Sequence, residues 1–172
     1  LYAKYGEATV EAAIDRFLDV GEEQARTALR DLPKGSWEAE NWMDNDGVDQ
    51  DRLVRVHVKV TIDDDGMAFD FSGSSDRVRG PINLAFGMTH SVCRIVFKSL
   101  TTPDEASNGG QFRPIKVIAP EGNLFHATYP APVFTIWASV VAIETIYKAL
   151  AEAMPEAIPA SSGGDLGDPG FY

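Results

Sequence analysis

Cysteine, histidine and positive charge are all scarce in this chain. Its 172 residues include one cysteine, Cys93, so no disulfide can form within it. Cys93 sits among Val92, Ile95 and Val96, a setting that favours a buried structural thiol over a reactive thiolate and agrees with a reducing, cytoplasmic environment. The three histidines, His57, His90 and His126, are dispersed, and neither His-x-x-x-His nor Cys-x-x-Cys spacing occurs, so no zinc signature is present. Lys and Arg number 15 against 26 Asp and Glu, a formal net charge of −11. Such a surface is not built to neutralise phosphates, which excludes nucleic acid as the expected partner. The longest apolar stretch, residues 131–143, is broken by Pro132 and closed by Glu144. A bilayer span needs about 20 apolar residues, so no membrane crossing is expected. The chain opens on Leu1 inside a helical pattern, without a charged-then-apolar leader, and reads as a piece excised from a longer protein.

What is present suits a globular domain: 44% hydrophobic and 10% aromatic residues, in a chain long enough to bury a core. Residues 7–32 place Val10, Ile14, Phe17 and Leu18 at helical spacing. Gly21 is a candidate bend, and Pro33 to Gly35 is a stop. Residues 36–43 read as a strand carrying Trp37 and Trp42, followed by the acidic turn 44–51. From 53 to 62 the alternation is nearly ideal, with Val54, Val56, Val58, Val60 and Ile62 on one face. Asp63 to Gly66 supply a hairpin turn, and Met67, Phe69 and Phe71 alternate on the returning strand. Residues 84–100 and 136–154 suit buried helices, the second closed by Pro155 and Pro159, and 114–119 suits a short strand. No repeat of fixed period is found. The order of elements points to an α+β fold, an antiparallel or mixed sheet with packed helices, in one domain or domain fragment spanning 1–172.

Chemistry is expected in the loops. The most informative is 70–83, DFSGSSDRVRGPIN, a polar and glycine-bearing segment behind a rigid strand. NGGQFRP (108–114), APEG (119–122) and the Gly/Pro-rich 159–170 are of similar type. Asp44, Asp46 and Gly47 invite a calcium-loop reading, but alignment to that motif puts Trp42 and Leu53 at ligand positions, so an acidic turn is the better reading. GGDLG (163–167) has no lysine and opens no helix, and no Gly-x-Ser-x-Gly elbow presents a serine. What remains is a convergence. Asp70 projects from a strand end beside Ser72 and Gly73, and Arg113 follows Asn108 and Gly109 before another strand. If both loops meet, Asp70 and Arg113 with Asn83 and Asn108 would line a pocket for a small amide or carboxylate. The plainer alternative is that Asp70 and Arg113 pair with each other, or with turn amides, to hold the loops. His57 reads as a cross-strand or solvent residue, whereas His90 lies beside the polar loop.

LPKGSWEAENWMDNDGV (32–48), MAFDFSGSSDRVRGPIN (67–83), SNGGQFRPIKVIAPEG (107–122) and ALAEAMPEAIPASSGG (149–164) together resemble, in order, the hydantoinase B/5-oxoprolinase family. These are B-type subunits of ATP-dependent cyclic-amide hydrolases, related to subunits of acetone- and acetophenone-type carboxylases. The resemblance covers nearly the whole chain. It implies a fragment of a larger multidomain subunit and a hetero-oligomer with an A-type subunit that holds ATP. It also implies a small amide or carbonyl substrate, no cofactor in this stretch, and any divalent metal elsewhere in the parent subunit. From the convergence of the two loops, Asp70 and Arg113 are expected at the catalytic site as positioning groups and not as the nucleophile, with Ser72, Gly73, Asn83, Asn108 and Gly109 around substrate. A rival reading is an assembly module in which Trp37, Trp42, Phe134 and Trp137 anchor a partner.

Overall fold

A computed structural model describes residues 1–160; the turn 163–167 and Ser161 and Ser162 lie outside the described residues. The elements are α1 (Tyr2–Tyr5), α2 (Glu7–Asp31), β1 (Gly35–Met43), β2 (Val54–Ile62), β3 (Met67–Asp70), α3 (Phe86–Thr101), β4 (Ile115–Ile118) and α4 (Trp137–Leu150). A short 3-10 turn, Gly109–Phe112, precedes β4. The α+β reading holds, with one mixed sheet of order β1-β2-β3-β4.

β1, β2 and β3 form an antiparallel meander, and β4 joins β3 in parallel. Period-two geometry sorts every strand residue to one of two faces. The inner rows run Trp37–Val60–Phe69–Val117 and Gly35–Ile62–Met67–Ile115. Val54, Val56, Val58, Val60 and Ile62 are all essentially inaccessible. Helices α3 and α4 lie on this face, packing Val92, Val96, Phe97, Ala142, Ile146 and Leu150 into a single core with the valines. Cys93 is buried there, and loss of hydration pushes its thiol far up from the ordinary value, so it is a packing residue. The outer rows, Glu38–Lys59–Asp70–Ile118 and Ser36–Thr61–Ala68–Lys116, carry the polar residues.

Helix α2 runs unbroken through Gly21. The expected docking stripe is corrected in its first half. Val10, Gly21, Ala25 and Leu29 are the buried positions, while Ile14 and Phe17 are exposed. Gly21 is not a bend but a contact point. The loop carrying Asn108 crosses α2 there, and a Cβ on Gly110 would sit 1.8 Å from the Leu18 carbonyl oxygen.

Candidate functional site

The polar loop after β3 is built as a continuation of the sheet. Asp70 closes β3 with its carboxylate accepting the Ser72 N–H at 2.8 Å, an Asx turn that starts the loop. Ser74 Oγ accepts the His57 N–H at 3.0 Å and donates to the His57 carbonyl at 2.8 Å. Ser75 Oγ accepts the Arg55 N–H at 2.9 Å, and Ser75 N–H returns a bond to the Arg55 carbonyl at 3.0 Å. The two serines therefore stand in for backbone and finish the β2 ladder beyond the end of β3. Gly73 is glycine because His57 lies against it: a Cβ there would approach His57 Nδ1 to 2.4 Å. Its carbonyl accepts from Arg55, whose guanidinium also pairs with Glu40 at 2.6 Å.

Asn83 is fully buried and fully employed. Its Oδ1 accepts the Val78 N–H at 2.8 Å, and Nδ2 donates to the carbonyls of Val78, Gly80 and Pro132 at 2.9–3.0 Å. These bonds exhaust the amide's donors, so Asn83 shapes the loop instead of facing a ligand.

Three loops do gather, at the end of the parallel pair where β3 and β4 finish. Residues 71–84 are stitched to 119–127 by Arg77 N–H to the Gly122 carbonyl, Leu124 N–H to Ser75 and Leu84 N–H to Leu124. Residues 128–136 join them through Phe134 and Thr135 N–H groups on the Pro81 carbonyl and the Ile82–Val133 bridge. Beside this junction α3 begins, and Phe86 stacks on His126 with ring centroids 4.4 Å apart and meets His90 edge-on at 4.8 Å. His126 Nδ1 lies 2.8 Å from the Ala119 carbonyl, which suits a proton on Nδ1 and an acceptor at Nε2. Burial, with Arg94 adding to it, holds the pKa of the His90 imidazole below its ordinary value. Neither imidazole could be singled out by spacing, since 36 residues separate them (126 − 90). The crossover into β4 brings both against the Phe86 ring.

The second expected loop lies elsewhere. Asn108 caps the 3-10 turn by accepting the Gly110 N–H at 2.8 Å and donates to the Phe17 carbonyl of α2 at 3.3 Å. Gly109 follows against Leu18. Arg113 pairs with Asp19 at 2.8 Å and Glu22 at 2.9 Å, both on α2. Extending the parallel register, in which Met67 faces Ile115, sets Arg113 level with Asp65, five residues from Asp70. At about 3.3 Å per residue that is roughly 16 Å. The structure therefore does not bring Asp70 and Arg113 together: a parallel pair puts the start of one strand and the end of its neighbour at opposite ends of the sheet.

The acidic turn also has a structural use. Asp46 is buried, and its carboxylate accepts the N–H groups of Val48, Asp49 and Gly80 at 2.6–2.8 Å. Burial alone would raise its pKa, but these backbone bonds outweigh it and hold the carboxyl below the ordinary aspartate value. A depressed carboxyl stabilises the fold above its unfolded pKa, and that stability is lost as pH falls through the lower folded value. Thermal stability is thus expected to drop as pH falls below about 4, and the Asp46→Asn variant to lose about 2 kcal/mol at neutral pH with a flatter acid limb. Melting curves from pH 7 downward test this; parallel curves for the two proteins would sink it. Among the described residues, no group of three or more His, Cys, Asp or Glu is placed to hold a metal ion, and no helix is long and apolar enough to cross a membrane.

A mixed α+β layer with its loops gathered at one end of a parallel strand pair recurs in known proteins. Residues 1–171 match the Hydantoinase B/oxoprolinase family model, and the chain belongs to that family. It is 32% identical over 93% of its length to a protein from Pseudomonas sp. (strain NS671) described as the B-type subunit of a D-/L-hydantoinase, and 30% identical over 96% to a protein of Methanocaldococcus jannaschii. In each case it spans 29% of the relative. The crystal structure of the ATP-dependent caprolactamase from Pseudomonas jessenii superposes with a TM-score of 0.80 at 25% identity, covering 91% of this chain and 27% of that one. An acetone carboxylase structure shares the fold, with a TM-score of 0.69 and 17% identity over 81% of this chain and 22% of the other.

Proposed function

We propose that this chain is part of the B-type subunit of an ATP-dependent cyclic-amide hydrolase that opens a hydantoin or lactam ring. The carrying observation is the likeness to the caprolactamase over 91% of the chain, alongside the B-type hydantoinase relative. In this reading an A-type partner binds ATP and supplies an activated carbonyl, and any divalent metal is held elsewhere in the parent subunit. The chemistry left for this chain is positional. Water must reach the carbonyl carbon, the ring C–N bond must break, and the leaving nitrogen must gain a proton. His126 and His90 offer imidazole nitrogens for that proton traffic. Asp70, at the end of β3 beside Ser72 and Gly73, offers a carboxylate for orienting the amide. Arg113, Asn108, Gly109 and Asn83 serve by fixing α2 and the loops.

In the complete assembly, supplied with ATP and a lactam, His126→Gln is expected to lower kcat about 10²-fold and Asp70→Asn about tenfold. Arg113→Ala is expected to leave turnover within about twofold, since its pairs with α2 are exposed and worth under about 1 kcal/mol. Full turnover by His126→Gln would remove the imidazoles from the reaction. A large loss in Arg113→Ala with an unchanged melting temperature would restore Arg113 to it. A second reading, in which the chain serves assembly and reaction occurs elsewhere, is favoured by the exposed aromatics at 129–137: Tyr129 and Phe134 are 96% and 87% accessible. Failed subunit association in Phe134→Ser, together with full turnover by assembled His126→Gln and Asp70→Asn, would select it. Carbon–carbon bond formation in place of ring opening would assign the chain to the carboxylase branch.

A further inference from the structure

We propose that the outer edge of β1 is a strand-addition site, filled in the full-length family subunit by an extended segment of that same subunit lying outside these 172 residues. β1 terminates the sheet order and runs nine residues with an unbroken register against β2 and no proline. Typical strands have about five or six residues, and edges of this length are normally shortened, bulged, charged or covered. Here Glu38 and Glu40 supply charge and Lys148 caps the Glu40 carbonyl, while, among the described residues, the N–H groups of Glu38 and Trp42 stay open.

The direction of its free backbone groups follows from the neighbouring strand. His57 and Arg55 turn their N–H and C=O groups away from β1, toward Ser74 and Ser75. Their register partners Glu40 and Trp42 are therefore non-hydrogen-bonded pairs whose own N–H and C=O groups point outward, and alternation extends this to Glu38 and Ser36. Lys148 Nζ confirms the direction by reaching the outward Glu40 carbonyl at 2.9 Å. Among the described residues, no partner takes the outward N–H groups of Glu38 and Trp42.

Charge and length choose the occupant. A second copy pairing through the same edge would bring the Glu38 and Glu40 rows of two chains together, each chain carrying a net charge of −11, and like charges across a strand pair are destabilising. A heterologous strand with Lys, Arg or hydroxyl residues beside Glu38 and Glu40, and apolar residues beside Trp37 and Ala39, continues both faces. The relatives are more than three times the length of this chain, which spans 29% of each, so the same polypeptide has ample material to supply one. This inference is independent of the proposed reaction.

The experiment is residue-resolved hydrogen exchange on the full-length subunit. Amides of Glu38 and Trp42 are expected to exchange about 100-fold or more slower than in an unstructured peptide, irrespective of subunit concentration and without the A-type partner. Free exchange at Glu38 and Trp42, with Ala39 and Asn41 protected, would overturn the proposal. Protection lost on dilution would assign the edge to a second copy, and protection gained only on adding the A-type subunit would assign it to that partner; both outcomes reject an occupant from the same chain. As a second measure, Glu38→Pro removes an outward donor without touching the β1–β2 ladder, and it is expected to lower the melting temperature of the full-length subunit. An unchanged melting temperature would also count against the added strand.

Discussion

Asn83→Asp is expected to destabilise the chain by about 3–5 kcal/mol, the scale of an uncompensated buried charge, although it changes a single NH2 to O. The side chain is inaccessible, and Nδ2 faces three carbonyl oxygens, those of Val78, Gly80 and Pro132. A carboxylate in the same place would present an acceptor to three acceptors, in surroundings too dry to screen the charge. Protonation would restore one donor at most, so the loss should shrink at acid pH without vanishing. Urea unfolding with an unchanged slope would measure it. A cost below about 1 kcal/mol would mean that the amide is not the knot of the 71–84 loop. Because Asn83 also ties down Pro132, the variant is expected to loosen the exposed 129–137 segment.

Gly110→Ala should cost about 3 kcal/mol, at the upper end of ordinary overpacking. The added methyl would lie 1.8 Å from the Leu18 carbonyl oxygen, and a backbone atom inside a helix cannot swing aside as a side chain can. Either α2 lifts from the 3-10 turn, breaking the Arg113 pairs with Asp19 and Glu22, or the turn deforms and the Asn108 cap is lost. Gly109→Ala provides the control, because its Cβ would find only Leu18 Cδ2 at 3.6 Å, an ordinary contact. Equal losses for the two glycines would refute the close crossing.

The strands were the most legible part of the sequence because their signal is local. The valine alternation from Val54 to Ile62, with Phe69 and Phe71 on the return, states which face is buried. The boundaries of β1, β2 and α3 fall within a residue or two of those read from periodicity, although α4 ends earlier, at Leu150. The exposure of Ile14 and Phe17 was not legible: spacing shows that a helix has an apolar stripe, but not where the layer beneath it stops. The site was half legible for a related reason. Glycine next to polar residues marks a close approach, and the structure confirms one at Gly73 and Gly110, but composition does not say what approaches. In both places it is the chain itself, a histidine ring and a helix carbonyl. The separation of Asp70 from Arg113 depends on the parallel sense of a four-residue strand, a long-range choice without a local signature. That His90 and His126 both meet Phe86 depends on the same choice.

That parallel pairing also sets an order of assembly. The antiparallel meander is complete once Asp70 has been made, yet its fourth strand arrives only after everything from Phe71 to Pro114, and the helix shielding β1 and β2 arrives later still. As synthesis runs from the amino terminus, the valine row of β2 emerges long before its cover. Such non-local closure is slow. A nascent chain halted before Trp137 should remain open to protease at β2, and one that has released α4 should not.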